Sequence, residues 1–185
     1  MCAAGDGLNG ETIAALPASI RMIATFSVGY EHIDVAAAAK RGIAVANTPD
    51  VLTDATADIA MLCLLGAARR AHEGATMLRT HHWTGWSPTQ LMGTHVTGKR
   101  LGILGMGRIG QAMADRARAF RMQIHYSNRS KLAPDLEKGA IFHADPDDML
   151  PHCDFLSINA PMTPQTRKWV NAERIARLPK GAIVV

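Results

Sequence analysis

Cysteine and long apolar runs are scarce in this chain of 185 residues. The cysteines, Cys2, Cys63 and Cys153, are odd in number, lie far apart and form no C-x-x-C pair. This spacing argues against a disulfide framework or a metal site and is typical of a reducing cytoplasm. The longest apolar run, residues 59–68, is too short to cross a bilayer. Because the first residues also lack the basic and apolar regions of a signal peptide, we expect a cytoplasmic protein without a membrane segment.

Aromatic residues are also few, at 5% of the chain, and they are not interleaved with a cluster of basic residues. The net charge of +4 and the isoelectric point of about 9.2 therefore do not indicate a nucleic-acid-binding surface. We expect the excess of basic residues on solvated helix faces and at a phosphate site. The apolar content of 48% is sufficient for a hydrophobic core.

A glycine-rich turn is the most informative motif. The apolar run 101–104 predicts a strand before it, and apolar residues spaced along 109–120 predict a helix after it. In a dinucleotide site the first glycine allows a sharp turn, the second lets the backbone approach a pyrophosphate, and the third lets the helix pack on the strand. An ordinary glycine-rich turn is the alternative, but the flanking strand and helix favour a dinucleotide site. The motif consists of Gly105, Met106, Gly107, Arg108, Ile109 and Gly110.

The strand predicted at 123–127 is not followed by an acidic residue. An NAD site usually has one there, because it accepts a hydrogen bond from the ribose 2′-hydroxyl. This chain has Asn128, Arg129 and Ser130 instead. Arg129 can pair with a 2′-phosphate, and its two neighbours can donate hydrogen bonds to it. The sequence therefore favours NADP(H), with NAD(H) as the alternative if Arg129 is only a solvated side chain at a loop tip.

The rest of the pattern predicts an α/β fold. Strands at 21–25 and 43–46 enclose a helix at 35–41, which is typical of a parallel unit. The loop at 26–30 follows the first of these strands, and open parallel sheets bind ligands at the carboxyl ends of their strands.

Two further segments invite predictions about assembly. Residues 51–71 predict one long helix that is apolar on nearly all sides and is therefore buried between domains or subunits. Residues 80–93, which include Trp83 and Trp86, break the helical periodicity. This segment is either an arm that packs on a partner or a loop that folds back on its own domain.

Several motifs occur in a fixed order: S-V-G at 27–29, G-I-A-V-A-N-T-P at 42–49, L-T-D-A-T-A-D at 52–58, the glycine-rich turn, and L-P-K-G-A at 178–182. Together they resemble the D-isomer-specific 2-hydroxyacid dehydrogenases, and residues 52–58, 83–88 and 128–130 are most similar to glyoxylate/hydroxypyruvate reductases. The resemblance implies a doubly wound, Rossmann-type cofactor domain at 53–185. It also implies part of a flavodoxin-like substrate domain at 1–52.

The resemblance also implies the residues of the site. Backbone N–H groups of Val28 and Gly29 are expected to hold the substrate carboxylate. Trp86, and less surely Trp83, is expected to reach a neighbouring subunit's active site from the 80–93 arm, which implies a homodimer. The residues expected to line the cofactor outside the glycine-rich turn are Thr56, Asn128, Arg129, Ser130, Ala160, Pro161 and Thr166.

The chain also departs from the family. Members run to about twice this length, consistent with two complete domains, and the segment that carries the catalytic arginine, glutamate and histidine is absent here. None of the eight histidines has a carboxylate at a spacing that indicates a relay, so we expect them to be structural or exposed. The expected function is NADPH-dependent reduction of glyoxylate or hydroxypyruvate, with little turnover by these residues alone. The alternative is a dinucleotide-responsive binding module on the same scaffold.

Overall fold

The computed structural model describes residues 1–3 and 5–185, which form two compact units, Met1–Leu52 and Thr53–Val185. The first unit contains helix α1 (Gly10–Ala15), strand β1 (Met22–Ala24), helix α2 (Val35–Lys40) and strand β2 (Ala44–Ala46). The two strands pair in parallel, as predicted.

Local signals explain the elements of the first unit. The side chains of Asn9 and Asp34 accept hydrogen bonds from the first turns of α1 and α2, so both helices begin at capping residues. A small core of buried apolar side chains holds these elements together. It consists of Ile13, Ile23, Ile33, Ala38 and Ile43.

The second unit opens with two helices where the sequence predicted one. Helix α3 spans Thr53–Ala68 and helix α4 spans Ala71–Arg79, with Arg70 in the left-handed region at φ 53° between them. The prediction of a single helix over 51–71 is therefore wrong.

The predicted burial of this helix between domains or subunits stays a prediction, because the second unit by itself covers only part of the helix. Only one face of this helix, with Ala57, Met61 and Leu64, is buried, and it joins the main hydrophobic core of the second unit. Ile59 and Leu62 on the opposite face remain 58% and 63% exposed.

A parallel sheet of five strands forms the body of the second unit. Its elements are β3 (Arg100–Leu104), α5 (Arg108–Ala119), β4 (Gln123–Ser127), α6 (Pro134–Glu137), β5 (Ile141–Phe142), α7 (Pro146–Met149), a 3₁₀ turn (Leu150–His152), β6 (Phe155–Ile158), α8 (Ala172–Arg177) and β7 (Ile183–Val184). The strand order is β5-β4-β3-β6-β7. This is a doubly wound, Rossmann-like order, and the predicted α/β fold class is confirmed.

Strand β3 lies at the centre of the sheet and is covered on both faces. Leu101 and Ile103 join the core formed with α3 and α5, whereas Leu104 joins a second cluster with Leu156 and Trp169. This alternation follows from the pleat of a strand, and it explains the continuous apolar run. Among the residues described, no helix is long and apolar enough to cross a membrane.

Candidate cofactor and substrate sites

The glycine-rich turn lies at the switch point of the sheet, between β3 and β6, where doubly wound folds bind ligands. Gly105 has φ +91°, and a Cβ there would lie 2.6 Å from the backbone nitrogen of Ala160. A Cβ at Gly110 would collide with the carbonyl oxygen of Gly105. The turn and the loop after β6 therefore pack as closely as only glycine permits.

Gly107 differs from these two glycines because its free side faces open space. No atom of the described residues lies within 4 Å of the position that a Cβ would take there. Gly107 is also the N-cap of α5, which has neither a side-chain cap nor an acidic residue in its first turn. The first N–H groups of a helix have no intrahelical acceptor, so this open N-terminus fits a pyrophosphate.

The three residues after β4 do not all face the same way. Asn128 accepts a hydrogen bond from the backbone N–H of Met106 at 2.7 Å, so its carboxamide is engaged by the glycine-rich turn. Arg129 and Ser130 are exposed, and Arg129 has no carboxylate partner in the part of the chain that the structure describes. Lys131, by contrast, lies 3.7 Å from Glu137. The sequence did not show that Asn128 joins the two loops.

The loop after β6 is held in place at both ends. The backbone N–H of Asn159 donates to the carbonyl of Leu104 at 2.8 Å, which fixes the loop beside the end of β3. The Thr166 hydroxyl donates to the Pro161 carbonyl at 2.6 Å. Ala160 therefore lies against the glycine-rich turn, whereas Thr166 closes the loop on itself.

Thr56 is half-buried in the first turn of α3. This helix is tied to α5 by Arg116, whose guanidinium lies 2.6 Å from Asp58 and 3.2 Å from Asp54. Thr56 is thus carried by the helix that packs beside the one following the glycine-rich turn.

The 80–93 arm leaves its tryptophans in solvent. Trp83 is 52% exposed and Trp86 is 83% exposed. The arm rejoins the unit at its far end, where the backbone N–H of Thr94 donates to the carbonyl of Ala68 at 2.8 Å. This chain therefore does not itself bury the indole rings.

In the first unit, the predicted carboxylate loop follows β1. Val28 and Gly29 are half-buried, and their backbone N–H groups have no acceptor among the described residues. Their carbonyl oxygens, by contrast, accept hydrogen bonds from Asn47 at 2.8 Å and from the Ser27 hydroxyl at 2.6 Å. Paired carbonyls beside unpaired N–H groups suit an anionic ligand.

Three histidines that are far apart in the sequence meet beside β4. The Nδ1 atom of His125 lies 3.0 Å from Nε2 of His143, and the His125 and His152 rings stack with centroids 5.2 Å apart. Burial, reinforced by the charges of His143 and His152, lowers the pKa of His125 to about 4. The fold thus disfavours the charged form of His125, and the three histidines came together through the tertiary fold rather than through any sequence signal.

Comparison with known proteins gives consistent matches. Residues 61–185 match the family model described as D-isomer specific 2-hydroxyacid dehydrogenase, NAD binding domain. A glycerate dehydrogenase from Hyphomicrobium methylovorum is 48% identical over 177 residues, which are 95% of this chain and 55% of that protein. A glyoxylate reductase from Thermococcus kodakarensis is 45% identical over 186 residues, 97% of this chain and 55% of that protein.

Solved structures agree with the sequence matches. The crystal structure of a glyoxylate reductase from Paecilomyes thermophila superposes with a TM-score of 0.87 at 40% sequence identity, covering 95% of this chain and 52% of that one. The chain thus spans about half the length of the curated relatives it matches, at 55% of each of the two named above.

Proposed function

Since this chain belongs to the D-isomer specific 2-hydroxyacid dehydrogenase family, we propose that it serves in the reduction of a small 2-keto acid to the D-2-hydroxy acid. The observation that carries the proposal is the open side of Gly107 at the N-terminus of α5. When bound there, a nicotinamide dinucleotide supplies the hydride. The chain's own residues bind its pyrophosphate through backbone N–H groups and orient it across the switch point.

We assign the 2-keto acid to the glyoxylate and hydroxypyruvate class. Relatives carrying the names glyoxylate reductase and glycerate dehydrogenase support this assignment. The N–H groups of Val28 and Gly29 would hold the carboxylate, which is common to both substrates. The product alkoxide needs a proton, and none of the eight histidines has a carboxylate at a spacing that indicates a relay, so these residues alone should turn over little substrate.

Arg129 and Ser130 make NADPH the preferred cofactor in this proposal. Arg129 is exposed at the carboxyl end of β4, has no carboxylate partner among the described residues, and follows a strand that ends without an acid. A guanidinium in this place can bind a 2′-phosphate in a charge-assisted, two-pronged contact.

The exposed tryptophan arm supports a homodimer. Trp86 is 83% exposed, and Leu62 on the outer face of α3 is 63% exposed, so both offer apolar surface to a second copy. We propose that the arm packs on the neighbouring copy and that Trp86 lines the neighbour's substrate site.

Two substitutions test the cofactor proposal. Gly107→Ala places a methyl group in open space and should leave the melting temperature unchanged, while NADPH affinity falls at least about tenfold because the backbone can no longer approach the phosphates. Arg129→Ala should lower NADPH affinity by about 10- to 100-fold and leave NADH affinity unchanged. Both affinities are measured by fluorescence titration.

The controls are matched to each change. Gly66→Ala adds the same methyl group in α3, where it also meets no described atom, and should leave NADPH affinity unchanged. Lys99→Ala removes one exposed positive charge at the opposite end of the sheet. An unchanged NADPH affinity in Gly107→Ala would contradict pyrophosphate binding at Gly107. An unchanged ratio of NADPH to NADH affinity in Arg129→Ala would contradict 2′-phosphate binding by Arg129.

A further inference from the structure

The carboxylate loop of the first unit has a backbone arrangement that needs an explanation. Val28 and Gly29 are half-buried residues whose carbonyls are both paired, whereas their N–H groups lack acceptors among the described residues. The two N–H groups without acceptors belong to adjacent residues. An anion with two oxygen atoms is the ligand that such a pair accepts.

The direction of both N–H groups is set by the carbonyls that share their peptide units. In a trans peptide the N–H and the C=O point in opposite directions. The Ser27 carbonyl, which shares a peptide with the Val28 N–H, accepts from the backbone N–H of Thr48 at 3.0 Å. The Val28 carbonyl, which shares a peptide with the Gly29 N–H, accepts from Nδ2 of Asn47 at 2.8 Å. The segment after β2 therefore holds both carbonyls, and both N–H groups point away from it.

A chain of side-chain hydrogen bonds fixes the next peptide. The Ser27 hydroxyl donates to the Gly29 carbonyl at 2.6 Å, and it lies 2.7 Å from the hydroxyl of Thr25. Thr25 is buried and lies 2.9 Å from Nε2 of His32. Because this network does not involve Asn47, we expect the loop to keep its fold when Asn47 is replaced.

One nearby charge opposes an anion. The carboxylate of Glu31 lies against the open side of the Gly29 α-carbon, and Glu31 itself is exposed. Because the charge of Glu31 repels an anion, selectivity for a carboxylate depends on the orientation of the Val28 and Gly29 N–H groups.

We propose that Asn47 is a positioning residue for the substrate carboxylate: its carboxamide holds the Val28 carbonyl so that the Gly29 N–H is aimed before the substrate arrives. Donors that are fixed in advance bind more tightly, because no reorientation is needed on binding. This inference rests on the proposed function, since it assumes that Val28 and Gly29 receive a carboxylate.

The experiment is a titration of the full chain with glyoxylate, followed by the ¹H–¹⁵N NMR signals of Val28 and Gly29. Asn47→Ala removes the donor to Val28 and should weaken glyoxylate binding about tenfold, in line with the loss of one well-placed hydrogen bond. In the ligand-free variant the Gly29 amide should also become more mobile in ¹⁵N relaxation. The melting temperature and the NADPH affinity, which depend on other parts of the chain, should not change.

Val51→Ala is the matched control, because Val51 lies in the same segment after β2 and its side chain is 75% exposed. Glyoxylate binding and Gly29 mobility in this variant should equal those of the wild type. If Asn47→Ala does not fold, as judged by circular dichroism, Asn47→Ser takes its place under the same criterion.

The outcomes separate the inference from the proposed function. If Asn47→Ala and the wild type bind glyoxylate equally, Asn47 has no positioning role, but the binding of the carboxylate by Val28 and Gly29 is not contradicted. A wild-type chain in which neither amide responds to glyoxylate overturns the carboxylate loop and, with it, the positioning role. NADPH binding, measured on the same samples, reports separately on the cofactor proposal.

Discussion

At the scale of single residues, Asn128 shows how one side chain can serve two loops. The sequence placed it among the donors to a 2′-phosphate, yet its carboxamide oxygen accepts from the N–H of Met106. It therefore joins the end of β4 to the glycine-rich turn. Its neighbour Arg129 remains exposed. Adjacent residues in one motif thus differ: the side chain of Asn128 is bonded to the glycine-rich turn, whereas that of Arg129 is exposed.

This difference predicts different effects on cofactor binding. Asn128→Ala removes the acceptor from the Met106 N–H and should loosen the turn proposed to hold the pyrophosphate, which NADPH and NADH share. Both affinities should fall by the same factor, about 5- to 10-fold, as measured by fluorescence titration. Arg129→Ala, in contrast, should affect NADPH alone. A selective loss of NADPH in Asn128→Ala would show that its side chain contacts the 2′-phosphate instead.

At the scale of elements, the three histidines join β4 to the segments that follow it. His125 lies on β4, His143 follows β5, and His152 lies in the 3₁₀ turn before β6. The positive charges of His143, His152 and Arg100 lower the pKa of His125, whereas the negative charge of Asp154 raises it. Burial and His152 also lower the pKa of His143, which Asp148 opposes. The fold therefore disfavours protonation of His125 and His143.

The stability of the chain should fall in mild acid for this reason. The pKa of His125 is lowered from 6.5 to about 4, so between these values the unfolded state binds a proton that the native state does not. The contribution of His125 is fully present above pH 6.5 and is lost as pH falls toward 4. The free energy of unfolding should decrease by up to about 1.4 kcal/mol per pH unit in this window.

Urea unfolding at a series of pH values measures this dependence. His125→Leu places an apolar side chain in the buried position. Because the titrating group is gone, the free energy of unfolding should depend less on pH in mild acid. Gln123→Ala, at an exposed position of the same strand, should keep the wild-type slope. If His125→Leu retains the full slope, other groups are responsible for it.

The elements also show where sequence patterns sufficed and where they failed. Strand β4 was predicted at its observed bounds, 123–127, because its alternating pattern is local. The break between α3 and α4 was missed, since no glycine or proline marks it. Contacts with residues distant in sequence lie at this break: Gly93 packs against the carbonyl of Ala68, and Thr94 donates to that carbonyl.

At the scale of the whole molecule, apolar side chains in solvent predict self-association. The outer face of α3 and the 80–93 arm together expose Ile59, Leu62, Trp83 and Trp86. Leu62→Glu would place a charge in the interface of the proposed homodimer, and its burial costs several kcal/mol. The dimer dissociation constant should rise at least about 100-fold in sedimentation velocity experiments.

Ile175→Glu is the control for this substitution. Ile175 is 53% exposed on α8, so the change in surface chemistry is similar and the location is different. The dimer dissociation constant of Ile175→Glu should equal that of the wild type. A wild-type chain that sediments as a monomer at all concentrations would contradict the homodimer.

The sequence by itself determined the α/β class, the position of the glycine-rich turn and the absence of an acid after β4. These features depend on residue type and short spacing: glycine alone permits φ +91° and the close approach at Gly105, and alternating apolar residues specify strands. The family resemblance rested on the same local motifs.

Only the tertiary structure decided which groups face one another. The contacts from Asn128 to Met106 and from Asn47 to Val28 join loops that are 22 and 19 residues apart, and the histidine cluster joins three elements. Such contacts depend on strand order and register, which bring together the carboxyl ends of parallel strands irrespective of their distance along the chain. The hydrogen bonds of Asn47 and Asn128 therefore form only once the sheets are assembled.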